Sequence, residues 1–336
     1  MDLFNDLADF SHEQINELLA LAQRLYQHPE PRALEGKVLS LLFLSPSLRT
    51  LISFQSAMLR MGGGTFVVSP EMSIHGLESR AGIVMDGSAA EHIREAVPVI
   101  ASYGDAIGIR AFARRRKLED DLSDREFLEL ASLFDTPCIN MESAINHPCQ
   151  SLADWKTLDD LGVPSSGGRL VLSWTWHPQP MPLAVPAATL HMAAMRGMDV
   201  TVLRPEGYEL PDVVMDKARQ AAEASGGSLA ETDDRAEAMR DSHVVYVNSW
   251  ASASHYGNKH SEDKIKSGLR DWRVDDTWFE NAAGDCRFMH PLPVRRGVTV
   301  TDEVLDGPRS VVIAEAQNRM LVQMAVLHRM LSASQR

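Results

Sequence analysis

The sequence predicts an α/β protein of two domains, each a mostly parallel sheet flanked by helices, with the C-terminal helix returning to the first domain. Three observations predict it. At 336 residues the chain exceeds one ordinary hydrophobic core and suits two. Short aliphatic runs alternate with stretches of helical periodicity over most of the length. The alternation comes in two series, with a break at residues 162–168, Gly-Val-Pro-Ser-Ser-Gly-Gly, just before the second. Units of this kind close into parallel sheets through right-handed crossovers.

In the first series, residues 38–44, 65–68, 106–109 and 138–140 read as buried strands, and residues 11–26, 47–61, 90–103 and 124–134 as helices. A helix over 147–161 leads into the second series. There 170–174, 200–203, 244–247 and 287–289 read as strands, and 183–196, 212–225 and 235–240 as helices. The amphipathic stretch 315–331 is the helix expected to return. The domains are therefore drawn as 1–146 plus 315–336, and 147–314. Gly62-Gly63-Gly64 follows a helix and lacks both the GxGxxG pattern and a P-loop lysine, so it reads as a turn.

Composition excludes several function classes. Hydrophobic residues make up 44% and charged residues 24%, the balance of a soluble globular protein. No apolar run is long enough to span a bilayer, and the first residues lack a basic region followed by an apolar core. Neither a signal peptide nor a membrane segment is expected. A formal charge of -13 argues against broad nucleic-acid binding. Cys138, Cys149 and Cys286 are widely spaced and odd in number, so they read as free thiols in a reducing, cytoplasmic compartment. The 12 histidines show no metal-ligand spacing, and no metal is expected.

The residues that can do chemistry fall at strand ends. The run 38–44 stops at Pro46 and opens into Ser47-Leu48-Arg49-Thr50, beyond which apolar residues recur at helical spacing. Free N–H groups, the positive end of the helix dipole, two hydroxyls and a guanidinium would converge there, as a phosphate site requires. On local grounds Ser47 reads equally well as a plain N-cap and Arg49 as a solvated first-turn residue. Arg110 ends another strand and is suited either to bidentate phosphate pairing or to a surface ion pair. In Asn146-His147-Pro148-Cys149-Gln150, a helix beginning near Pro148 puts His147 and Gln150 on one face. The imidazole can donate to an oxyanion and the amide can hold a carbonyl or an NH2 group. A helix start with a partly buried histidine is the plainer alternative. His290-Pro291-Leu292-Pro293 forms a rigid turn that can present backbone carbonyls, a cis bond before Pro293 being one option, with Arg295 available for a carboxylate; a stiff surface loop is the other reading. Arg319, near the start of the last helix, either reaches toward the same anion or lies on the helix surface.

In this order and spacing the motifs resemble the aspartate/ornithine carbamoyltransferase family: Ser-x-Arg-Thr at 47–50, Arg110, His-Pro-x-Gln at 147–150, His-Pro-Leu-Pro at 290–293, and Arg319. The resemblance spans nearly the whole chain. It is strongest to the N-acylornithine branch, through Met85-Asp86-Gly87, 108–112, Asn140-Met141-Glu142, Trp174 with His177-Pro178, and 293–296. Within that branch it leans toward the N-succinylornithine enzymes, with the N-acetylornithine enzymes next. Ala90 stands where the acetyl enzymes carry a glutamate and the succinyl enzymes a proline. A missing carboxylate removes repulsion against a succinyl group without excluding an acetyl one.

The resemblance implies a transferase that moves the carbamoyl group of carbamoyl phosphate to the δ-amine of an N-acylornithine in arginine biosynthesis, without metal or organic cofactor. Ser47, Leu48, Arg49, Thr50, His75, Arg110, His147, Gln150, Leu292 and Arg319 would bind carbamoyl phosphate, with Arg49, Arg110, His147 and Gln150 catalytic. Ala90, Glu142, His177, Asn248, Pro291, Leu292 and Arg295 would bind the acylornithine. The implied assembly is a homotrimer in which His75 acts on a neighbouring subunit's site. Another amine acceptor and a non-catalytic anion binder are the alternative functions. Four positions depart from the family pattern: Leu51 and His75 where it has arginine and tryptophan, Asn248 where it has lysine, and Gln179 where it has a basic residue.

Overall fold

The computed structural model describes residues 1–69, 76–80 and 82–332. It divides into two units, Met1–Ala113 with Asp120–Cys149 and Met320–Arg336, and Arg114–Glu119 with Gln150–Arg319. The strands of the first unit are β1 (Leu3–Phe4), β2 (Val38–Phe43), β3 (Gly64–Val68), the short pair β4 (Leu77–Glu78) and β5 (Glu91–His92), β6 (Ala106–Arg110) and β7 (Cys138–Glu142). Apart from β4 and β5, which pair with each other, they form one parallel sheet in the order β1-β7-β6-β2-β3. The second unit holds β8 (Arg169–Trp174), β9 (Asp199–Leu203), β10 (Ser228–Thr232), β11 (Val244–Asn248) and β12 (Arg287–Met289), all parallel, in the order β10-β9-β8-β11-β12.

Both sheets have a point where the chain reverses its direction of travel across the sheet. From β2 it moves to β3 on one side, and from β6 to β7 on the other; from β8 it moves to β9 and β10, and from β11 to β12. The carboxyl ends of β2 and β6, and of β8 and β11, therefore flank open crevices where ligands collect in such sheets.

The helices are α1 (His12–Gln27), α2 (Leu48–Arg60), α3 (Ile93–Ser102), α4 (Leu118–Leu122), α5 (Arg125–Ala131), α6 (Pro148–Asp160), α7 (Ala184–Met195), α8 (Asp212–Ser225), α9 (Arg235–Ala238), α10 (Lys259–Lys266), α11 (Asp302–Asp306) and α12 (Val312–Leu331). Local chemistry explains their ends. Ser11 and Gln14 exchange hydrogen bonds in a capping box at the start of α1. Gly226, at φ 80°, closes α8 in the left-handed conformation that a Cβ disfavours. The α7 sequence is apolar all round, and the helix is buried nearly all round. Gly62, at φ 82°, lies in the turn between α2 and β3, where a Cβ would meet the Pro31 carbonyl oxygen at 2.5 Å.

The differences from the sequence expectation have physical causes. β6, β7 and β11 run past their apolar stretches to Arg110, Glu142 and Asn248, because backbone pairing continues where hydrophobicity stops. β10 escaped notice because it is a polar edge strand paired only to β9, with no burial period to read. α10 is Lys/Glu/Asp-rich and gave no apolar stripe. The helix expected over 124–134 shortens to α5. Asp124 stands before it at φ 53°, and its carboxylate turns away from the helix, accepting from Ser143 Oγ at 2.6 Å and from the Ala144 N–H at 3.1 Å. Among the described residues no helix is long and apolar enough to cross a membrane.

Candidate active site

In the first unit, sheet register lines up the polar strand ends. Phe43 on β2 pairs with Arg110 on β6, and Arg110 pairs with Glu142 on β7. β2 is aliphatic and buried until Pro46 turns the chain, and Ser47 caps α2 with its hydroxyl toward the Thr50 N–H at 3.4 Å. Ser47 Oγ also donates to Thr50 Oγ1 at 3.0 Å. The first turn of α2 thus presents its amides at the carboxyl end of β2. Thr50 is buried, Arg49 half-buried and Leu48 exposed.

Arg110 is buried and braces this turn. Nη1 donates to the carbonyls of Ser45 at 3.0 Å and Pro46 at 2.8 Å, Nη2 donates to Glu142 Oε2 at 2.7 Å, and the guanidinium stacks 4.0 Å over Phe112. Its Nε is buried without a hydrogen-bond partner among the described residues. The same Glu142 oxygen lies 3.4 Å from Nε2 of the buried His147. One carboxylate therefore faces two cationic or proton-donating side chains. The loop that delivers His147 is itself pinned: Asp124 holds Ser143, Ala144 and, at 3.4 Å, the Asn146 amide.

In the second unit, Gln150 lies on the first turn of α6, wholly buried. Nε2 donates to Asp154 Oδ1 at 2.8 Å and to Glu315 Oε1 at 2.9 Å, and Gln150 Oε1 is buried without a partner among the described residues. Burial pushes the Asp154 carboxyl up to about 7 and the Glu315 carboxyl well above the usual carboxylate range, each opposed by the charge of Arg319. Glu315 Oε2 accepts the His290 N–H at 3.0 Å. Leu292, at φ 35° and followed by a cis peptide bond to Pro293, turns its N–H back to the His290 carbonyl at 2.8 Å and to His290 Nδ1 at 3.1 Å.

Beyond β8 and β11, Arg295 Nε donates to His177 Nε2 at 3.0 Å, and His177 Nδ1 faces the Gln179 carbonyl at 2.8 Å. The Gln179 N–H also lies 3.1 Å from Nδ1, and an Nε2 that accepts from Arg295 requires an unprotonated ring nitrogen. Burial lowers the His177 pKa, and the charges of Arg295 and Lys266 lower it further. Lys266 is buried at the end of α10, with Nζ 3.3 Å from the Pro178 carbonyl and 3.1 Å from Asp263 Oδ1. Asn248 turns its Oδ1 onto the Ser249 N–H at 2.6 Å. Trp174, Trp250 and Tyr208 pack beneath this end of the sheet, with Trp174 Nε1 donating to the Trp250 carbonyl at 3.0 Å.

Family models match both halves of the chain: the carbamoyl-P binding domain of aspartate/ornithine carbamoyltransferase over residues 3–160, and its Asp/Orn binding domain over 185–330. The chain belongs to the aspartate/ornithine carbamoyltransferase family. It is therefore a transferase. The N-acetylornithine carbamoyltransferase of Xanthomonas campestris is 37% identical over 327 residues, covering 96% of each chain. The N-succinylornithine carbamoyltransferase of Bacteroides thetaiotaomicron is 34% identical over 298 residues, covering 88% of each. A single-residue variant of an N-acetyl-L-ornithine transcarbamylase, crystallised with carbamyl phosphate and N-succinyl-L-norvaline, superposes with a TM-score of 0.93. It is 35% identical and covers 98% of this chain and 100% of that one. Such relatives place the chain in the N-acylornithine branch of the carbamoyltransferases.

Of the family residues expected from sequence, Ser47, Leu48, Arg49, Thr50, Arg110 and His147 fall in the first unit, together with Glu142 and the exposed Ala90. Gln150, His177, Asn248, Pro291, Leu292, Arg295 and Arg319 fall in the second. His75 lies outside the described residues. Glu142, expected at the amino-acid substrate, has its carboxylate on Arg110 and beside His147. Asp154, Glu315 and Lys266 were missed. The first two stand four residues from Gln150 and Arg319 on their helices, a spacing that could have exposed them. Lys266 carried no such signal, because its helix was not recognised. Among the described residues no group of three or more His, Cys, Asp and Glu could hold a metal ion.

Proposed function

We propose that this carbamoyltransferase transfers the carbamoyl group of carbamoyl phosphate to the neutral δ-amine of an N-acylornithine, N-succinylornithine foremost and N-acetylornithine also accepted. The observation that carries the reading is the row Phe43, Arg110, Glu142 across three strands, which links Arg110 to the turn before α2 and, through Glu142, to His147. The α2 amides from Leu48 onward, the Ser47 and Thr50 hydroxyls, Arg49 and Arg110 bind the phosphate, with Arg319 contributing a further guanidinium. His147, Arg49 and Thr50 polarise the carbonyl oxygen, and Gln150 and the Leu292 carbonyl take the carbamoyl NH2. The amine attacks the carbonyl carbon, a C–N bond forms, and the C–O bond to phosphate breaks as the departing phosphate accepts the amine proton.

Arg295, His177 and Asn248 serve the acylamino acid, along with Pro291 and Leu292. Ala90 brings no negative charge, which leaves a succinyl carboxylate unopposed. Assembly as a homotrimer is supported by α2, where Leu48, Ile52 and Leu59 recur at helical spacing while 69%, 52% and 69% exposed.

A citrulline-forming assay with N-succinylornithine, N-acetylornithine and ornithine tests the reading, with the greatest turnover expected on the succinyl compound. Inactivity on all three refutes it. Calorimetric uptake of carbamoyl phosphate without turnover would instead mark an anion binder or another acceptor. Arg49→Ala should weaken carbamoyl phosphate binding about a hundredfold, and unchanged binding would remove the phosphate site as assigned.

A further inference from the structure

We propose that Glu315 is a positioning residue that orients both acceptors of the donor's NH2 group, Gln150 Oε1 and the Leu292 carbonyl, and thereby makes the site select carbamoyl phosphate over acyl phosphates. The inference rests on the function proposed above, which assigns those two acceptors.

An amide side chain has two ends of similar shape and opposite hydrogen-bonding sense. Rotated by 180°, Gln150 would present its own NH2 to the NH2 of the donor, and binding would fail. Two carboxyl oxygens prevent the rotation. Asp154 Oδ1 and Glu315 Oε1 take the two hydrogens of Gln150 Nε2 at 2.8 and 2.9 Å, so Oε1 is the end left over. It is buried and has no partner among the described residues, as an acceptor awaiting a donor should be.

The second oxygen of Glu315 does the matching work on the other acceptor. Oε2 receives the His290 N–H at 3.0 Å. His290 in turn receives the Leu292 N–H, on its carbonyl at 2.8 Å and on Nδ1 at 3.1 Å. Leu292, whose carbonyl follows directly on this anchored N–H, is thus tied through one residue to the carboxyl that orients Gln150. Asp154 bonds to Gln150 and to Glu315 itself, and reaches the Leu292 end only through Glu315.

Glu315 needs both oxygens as acceptors, so an amide in its place must offer an N–H to one of two N–H groups. Asp154 offers Gln150 a single oxygen, which an asparagine also supplies. The groups facing the pair favour this arrangement: Arg319 supplies one positive charge against two carboxyls, and the buried Tyr246 phenol lies beside both. One retained proton leaves the cluster neutral while every Gln150 hydrogen still finds an oxygen. A carbamoyl NH2 satisfies both oriented acceptors, whereas the methyl of acetyl phosphate satisfies neither.

The test compares carbamoyl phosphate with acetyl phosphate, the latter as a competitive inhibitor, in the full-length enzyme. Inorganic phosphate affinity by calorimetry reports the intact anion site. Glu315→Gln should narrow the preference for carbamoyl over acetyl phosphate by about tenfold to a hundredfold with phosphate affinity unchanged. Asp154→Asn should keep most of the preference. Glu315→Asp, which retains both oxygens on a shorter arm, should fall between and serves if the glutamine variant does not fold. Full preference in Glu315→Gln, or equal loss in Glu315→Gln and Asp154→Asn, overturns the positioning role. So does loss of phosphate binding in both Glu315 variants, which would make the residue a determinant of the fold. If the wild-type enzyme binds phosphate but neither binds nor turns over carbamoyl phosphate, the proposed function fails first and this inference with it.

Discussion

Glu142 holds the arginine that braces the turn before α2, and its replacement gives a graded prediction. Its carboxylate and Arg110 are both buried, with a 2.7 Å bond between them, and His147 stands 3.4 Å from the same oxygen. Glu142→Gln keeps the volume and one acceptor, and its bond to the Arg110 guanidinium stays charge-assisted, but the buried counter-charge is lost. The retained bond, worth about 1.5–3 kcal/mol, offsets part of that cost, so a loss of about 1–2 kcal/mol is expected. Glu142→Ala loses the bond as well, and removing one partner of a buried pair typically costs about 3–5 kcal/mol. Arg110 keeps its bonds to the Ser45 and Pro46 carbonyls in both variants, so the lower end of that range applies. Urea unfolding followed by circular dichroism measures the series, with m-values compared to confirm that the same cooperative unit unfolds. An alanine variant within about 0.5 kcal/mol of wild type would mean that the ion pair does not hold Arg110, which is then placed by the loop carbonyls alone.

Three further outcomes follow from particular contacts. Asp154 is held at about 7 in the fold against an ordinary 3.8, so the folded state binds the extra proton between those values. Its contribution is therefore full below about 4 and lost as pH rises to about 7; Asp154→Asn should flatten the stability curve in that window, and parallel curves would contradict the assignment. Arg295→Ala should raise KM for the acylornithine about tenfold and leave KM for carbamoyl phosphate unchanged, as steady-state kinetics with each substrate varied will show. Leu59→Asp, on the exposed apolar stripe of α2, tests the proposed trimer: a light-scattering mass below that of wild type is expected, and an unchanged mass would remove that stripe from the interface.

Much of the fold and of the local geometry around Ser47 and Gln150 was legible because each rests on a local rule. The β2 run of Val38–Phe43 is aliphatic because both its faces are covered, and Pro46 and Ser47 mark the turn and the cap at fixed offsets. Pro148 announced α6 and hence the place of Gln150 on its first turn. What sequence could not supply was partnership across the chain. Arg110 and Glu142 are 32 residues apart, and only the register of β6 against β7 makes them neighbours. Gln150 and Glu315 are 165 residues apart, so the orientation of the amide had no local signal. β10 and α10 were illegible for another reason: a polar edge strand and a charged helix bury too little to impose a period.

The same distinction bears on the acceptor side, where the chain departs from its family. Asn248 does not hold a charge in place of the family's lysine; its Oδ1 is taken by the adjoining Ser249 N–H, so it caps its own strand end. Positive charge at this end of the second sheet comes instead from two residues on other elements. Arg295 arrives from the loop after β12 and is aimed by a neutral His177, whose Nε2 can accept only while the ring stays unprotonated. Lys266 arrives from α10, close enough to help keep that ring neutral. Arg295, beside a neutral His177, is thus the cation that this end of the sheet presents, while Lys266 has its charge on Asp263.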